Sequence, residues 1–80
     1  MTKKMLTEIF MSAKEMKSDI CVEITIPGQK ENEYIINRNS SIDSKLKYYL
    51  DNYTEELCHK NNEAIRIVRA FPIDFYMGGN

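Results

Sequence analysis

Between Ile20 and Ile26 every second residue is a branched aliphatic: Ile20, Val22, Ile24 and Ile26 alternate with Cys21, Glu23 and Thr25. A period of two with β-branched residues marks a strand that buries one side and shows the other. In a chain of 80 residues this strand governs the rest. A domain of that size buries only about 60% of its unfolded surface, so there is room for one thin core. Pro27-Gly28 ends the strand and Gln29 to Asn32 reads as a polar loop. Glu33-Tyr34-Ile35-Ile36-Asn37 then returns as the second strand of a hairpin, with Ile35 and Ile36 competing for the buried side.

On both sides of this hairpin the period changes. Met5, Leu6, Ile9, Phe10, Ala13 and Met16 fall on one arc of a helix over roughly 3–17, with Thr2 as its N-cap. Asn39-Ser40-Ser41 reads as the start of a second helix, with Ser40 and Asp43 spaced as a capping box. Its stripe of Ile42, Leu46, Tyr49, Leu50, Tyr53 and Leu57 runs to a C-terminus at Lys60-Asn61-Asn62. Ala64 to Phe71 reads as a third strand, with Ile65, Ile67 and Phe71 on one side and Arg66, Val68 and Ala70 on the other. Arg69 interrupts the apolar side, and Pro72 predicts a bulge, a strand end or an edge. Gly78-Gly79-Asn80 reads as a loose tail.

The expected fold is therefore one α+β domain spanning 1–80, in the order α-β-β-α-β. The helix between strands two and three returns the chain, so those two strands run parallel and the regular strand one sits between them. That gives a three-stranded antiparallel sheet of order 3-1-2 with two helices on one face.

Charge weighs against several function classes, although folding can gather charges into patches that a linear count misses. The 11 basic and 12 acidic residues are spread along the chain. A nucleic-acid binder needs a basic stripe to neutralise phosphates, and a DNA mimic needs the opposite excess; neither pattern is present in the sequence. No stretch approaches the roughly 18 apolar residues that a bilayer requires. The N-terminus lacks the apolar run of an export signal, so a cytoplasmic location, with Cys21 and Cys58 as reduced thiols, is expected. Cys58 and His59 are adjacent, and neighbours on a helix point about 100° apart, which is wrong for a nucleophile–base pair. One histidine and two distant cysteines do not make a zinc site. No catalytic, cofactor-binding or metal-binding residue is assigned, and the chain is read as a non-enzyme.

What remains is surface. Tyr48, Asp51, Asn52, Glu55 and His59 share the projected outer side of the second helix. Tyrosine ringed by acids is a frequent interface composition, although a solvated polar face is the plainer reading. Phe71, Ile73, Phe75, Tyr76 and Met77 crowd apolar surface near the C-terminus, more than a thin core absorbs. The candidate partner-binding residues are therefore Tyr48, Asp51 and Glu55, with Phe75, Tyr76 and Met77. Arg66 is expected to face Glu23 across strands, which explains it without a ligand.

The segment Glu33-Tyr34-Ile35-Ile36-Asn37, followed by Asn39, Ser40, Leu46, Tyr48-Tyr49, Tyr53 and Leu57 and then Ile65-Arg66-Ile67, resembles small proteins of phages and prophages in low-GC bacteria. Many proteins of that size and origin act against host defence, anti-CRISPR proteins among them. The resemblance implies a host protein as partner, a Cas effector or another defence complex, in the bacterial cytoplasm. It transfers no functional residue. Two further expectations stand beside it. One is a nucleic-acid-binding or transcription-modulating prophage protein using Arg38, Arg66, Arg69 and the lysines. The other is an assembly protein that forms a homodimer or larger homo-oligomer through its C-terminal apolar patch.

Overall fold

Thr2 opens the first helix in the computed structural model, which describes residues 1–58 and 65–73. Helix α1 spans Lys3–Met16, and the Thr2 hydroxyl accepts from the Met5 N–H at 3.2 Å, as the sequence predicts. Lys17 ends the helix in the left-handed region, at φ 56°. Its strand partner follows at once: β1 covers Asp19–Thr25. Strand β2 covers Glu33–Asn37, and β3 covers Arg66–Ile73. They form a three-stranded antiparallel sheet of order β2-β1-β3, with β1 in the centre. The most regularly alternating segment thus takes the position with two neighbours.

Register settles the competition within β2. Val22 lies opposite Ile35, so Ile35 turns toward the core while Ile36, opposite Cys21, is left exposed. The core is a single cluster: Leu6, Phe10 and Ala13 of α1 meet Ile20, Val22 and Ile24 of β1, with Ile67 and Ala70 of β3. Ile42, Leu46 and Tyr49 join it from helix α2, which spans Ile42–Asn52. The buried Tyr49 hydroxyl donates to Asn37 Oδ1 at 2.9 Å, so the one polar group β2 brings inside is satisfied. Burial raises the Tyr49 phenol pKa, which keeps it a donor.

Three local expectations are corrected. First, β3 does not alternate evenly. A bulge leaves Val68 without an opposite residue, since Glu23 pairs with Arg69 and Ile24 with Ile67. The extra residue reverses the pattern beyond it: Ala70 enters the core and Phe71 moves to the side of Arg69. Second, Ser40 and Asp43 form no capping box. A 3-10 turn over Asn39–Ser41 leads into α2 without a side-chain cap, and Asp43 instead binds the Lys14 ammonium at 2.9 Å. The junction is held by Asp19, whose carboxylate accepts from Arg38 Nη1 (3.2 Å) and the Asn39 N–H (2.8 Å).

Third, the second helix is two. It breaks after Asn52, and a short helix α3 resumes over Glu55–Cys58. The break lets the Tyr53 carbonyl accept from the Ile67 N–H of β3 at 3.3 Å and the Glu55 N–H donate to the Met1 carbonyl at 2.9 Å. Thr54, a poor helix former, is fully buried at the corner. Leu57, expected on the apolar stripe, falls out of phase and is 47% exposed. Glu56 gains a role: both of its carboxylate oxygens accept from the Lys3 N–H, at 3.0 and 3.1 Å. Helix α1 has no acid in its own first turn, so α3 supplies one across the fold.

Candidate functional site

Side chains alternate across a strand, so the residues of β1 that do not enter the core, Cys21 and Glu23, look out from the second face of the sheet. Their register partners stand beside them. Ile36, Cys21 and Phe71 make one row; Tyr34, Glu23 and Arg69 make the next. Tyr34 is 58% exposed, Ile36 46% and Val68 44%. These side chains on the two strands that flank β1, rather than a cleft, are the most distinctive surface among the described residues.

The polar members of this face are mutually fixed. Arg69 Nε donates to Glu23 Oε1 at 3.0 Å, and Asn32 Nδ2 donates to Glu23 Oε2 at 2.8 Å. The Arg69 guanidinium also lies 4.9 Å from the centre of the Phe71 ring, within cation–π range. The Asn32 hydrogen bond, aided by the Arg69 charge, holds the Glu23 carboxyl below its usual range. One carboxylate in the middle strand therefore orients a side chain on each flank. Register places Arg69, not Arg66, opposite Glu23; Arg66 stands opposite Thr25, one row further along. The bulge at Val68 sets Arg69 there in place of Val68.

Cys21 lies under this surface, 6% exposed. Burial pushes its thiol pKa up, only partly offset by the Arg69 charge. Such a thiol stays protonated near neutral pH and is a weak nucleophile. Among the described residues no group of three or more His, Cys, Asp and Glu side chains is arranged to hold a metal ion. No helix of the described residues is long and apolar enough to cross a membrane.

The surface expected from the sequence is only partly assembled. Tyr48 and Asp51 share one side of α2, but the helix break puts Glu55 on α3, so Asp51 and Glu55 are not successive turns of one helix. Each is engaged within the chain. Tyr48 and Tyr53 hydroxyls are 3.0 Å apart, and the Tyr48 ring meets Tyr49 and Tyr53 edge-on at 5.7 and 5.6 Å. Asp51 accepts from Lys47 Nζ at 3.0 Å, and Glu55 is 3.7 Å from the Met1 ammonium. Phe75, Tyr76 and Met77 lie outside the described residues, as does His59. Of the residues on this face, sequence reasoning singled out Arg69 and passed over Tyr34, Ile36 and Val68. The hairpin register would have found Tyr34 and Ile36 once Val22 was matched to Ile35. Val68 depended on a bulge that Pro72 made plausible in β3 but did not place.

Comparison of the chain with protein-family models, curated proteins and solved structures found no match.

Proposed function

We propose that the protein is a non-enzymatic protein-binding module of phage type that inhibits a host defence complex in the bacterial cytoplasm by steric or conformational blocking. In this reading both helices cover one face of the sheet and the second face meets the partner. The observation that carries it is the exposure of Tyr34 and Ile36 on one outer strand and Val68 on the other, with a preset Glu23–Arg69 pair between. Aromatic and aliphatic anchors around an oriented arginine are what protein interfaces concentrate at their centres. Tyr48, Asp51 and Glu55, with their intramolecular partners, fit the rim of such an interface better than its centre. The host-defence element rests on the resemblance of the 33–67 region to phage and prophage proteins.

The test is affinity capture from host lysate by the wild-type protein and by Tyr34→Ala, paired with phage plating on defended cells. Recovery of a defence component by the wild type alone, with plating restored by the wild type alone, supports the proposal. Unchanged plating with no defence component recovered sinks it.

A second reading has its own observation. Tyr34 and Phe71 are aromatic rings beside Arg69 and Arg66 on a sheet face, a composition that also suits stacked single-stranded bases. Pairing with Glu23 neutralises the Arg69 charge and weighs against it. A salt-dependent mobility shift of single-stranded RNA or DNA would favour it; no shift at low salt would remove it.

A further inference from the structure

The two outer strands of the sheet are treated differently. Along β3 the outward backbone is obstructed: the Ile67 N–H donates to Tyr53, the Ile67 carbonyl accepts from the Met1 ammonium at 2.9 Å, Val68 is bulged, and Pro72 has no N–H to offer. These are standard ways of blunting an edge. Strand β2 has none of them. It contains no proline, lysine or bulge, its register with β1 runs unbroken from Asn37 to Glu33, and among the described residues no strand lies on its other side.

We propose that the free edge of β2 pairs antiparallel with β2 of a second copy of this chain, joining two sheets into one of six strands about a two-fold axis through Ile35. The occupant follows from the strand's own sequence. A two-fold antiparallel pairing must centre on one residue, and Ile35 is the middle of Glu33–Asn37. That register sets Ile35 against its symmetry mate, Tyr34 against Ile36, and Glu33 against Asn37. No like charges meet, and every residue of the strand gains a partner. Directly opposed residues share a face, so Tyr34 and Ile36 of each copy form one four-residue apolar cluster at the centre of the dimer's exposed face. Centring on Tyr34 or Ile36 would leave part of the strand unpaired. Five residues make an edge of about 17 Å, shorter than most interfaces. The dimer is accordingly weak and concentration-dependent.

The inference goes beyond the proposed function and is tested on purified protein with no other component present, so the two stand or fall separately. In reducing buffer, sedimentation equilibrium is expected to show the weight-average mass rising with concentration from 9.4 kDa toward twice that value. Ile36→Lys sits on an exposed position and should raise the dissociation constant tenfold or more. Met5→Lys, equally exposed but on α1, should leave it within about twofold, since surface changes away from special features are nearly neutral. A mixture of Tyr34→Cys and Ile36→Cys proteins should cross-link faster on oxidation than either protein alone. A mass that stays at the monomer value to millimolar concentration overturns the proposal. So does a dimer that Ile36→Lys leaves intact, or cross-linking no faster in the mixture than in the separate proteins.

Discussion

Two faces of one strand differ sharply in what they carry. Ile20, Val22 and Ile24 are all buried against α1, α2 and β3. Cys21 and Glu23, one residue away in each case, carry a surface on which Tyr34, Ile36 and Val68 remain open. The first face is uniform and apolar because it only has to exclude water. The second mixes a carboxylate, a guanidinium and aromatic rings in fixed relative positions. The difference teaches that damage to the first face should appear as lost folding, and damage to the second as lost binding with folding intact.

The sharpest break comes from the first face. Phe10 is fully buried and stacks edge-on with Tyr49 at 5.9 Å between centroids. Phe10→Ala should cost about 3–5 kcal/mol, comparable with the whole stability of a small domain, and leave little folded protein at 37 °C. Circular dichroism against urea checks this. Tyr49→Phe keeps the ring and strands Asn37 Oδ1 without a donor, for roughly 1–3 kcal/mol. If either substitution left stability unchanged while abolishing partner binding, the division between the faces would be wrong.

On the second face the readouts should exchange. Tyr34→Ala is expected to weaken binding to the captured partner by about 2 kcal/mol, or some thirtyfold, as truncation of a central aromatic does. Its urea midpoint should stay near that of the wild type, because exposed positions contribute within about 0.5 kcal/mol. Isothermal titration beside denaturation separates the two effects.

How far this division could be read in advance depended on the element. The helix over 3–17, the hairpin and the central place of strand one were all legible, because period and propensity agreed there. The inward turn of Ile20, Val22 and Ile24 followed from alternation alone. What was not legible depended on contacts distant in sequence. Tyr53 continues the helical stripe of 42–57 as written, yet the chain leaves the helix there to reach Ile67 and Met1. Val68 is an ordinary strand residue, and only the pairing with β1 makes it a bulge. The candidate surfaces differ in the same way. The helical wheel nominated Tyr48, Asp51 and Glu55, whereas the face built around Glu23 needed the register of three strands.

Glu23 offers a finer test of the same contrast through pH. Its carboxyl is held below the usual range, chiefly by Asn32. A depressed pKa contributes stability above the unfolded value of about 4.3, and that contribution fades as pH falls through the lower folded value. Glu23→Gln removes the titration. The melting-temperature gap between wild type and Glu23→Gln should therefore be steady from pH 7 to 5 and close on acidification below about pH 4. A gap that widens in acid would mean that Glu23 is destabilising when charged, contrary to the arrangement around it.

The smallest effect expected lies at Lys17, which touches neither face. At φ 56° a lysine bears a steric penalty that glycine does not, because its Cβ crowds the backbone carbonyl. Lys17→Gly relieves that strain and also loosens the unfolded chain, and the two oppose each other. Strain is the larger at a helix end whose closing bonds, Ser18 N–H to the Ala13 carbonyl at 3.0 Å and Lys17 N–H to the Lys14 carbonyl at 3.2 Å, already favour a left-handed residue. The net should be a gain of about 0.5 kcal/mol, seen as a small rise in urea midpoint with an unchanged slope. The same variant should bind the partner as tightly as the wild type. A more stable protein with unaltered affinity would separate the two faces from the opposite direction to Phe10→Ala. An affinity that rose with stability would tie partner binding to the folded fraction and leave the second face no work of its own.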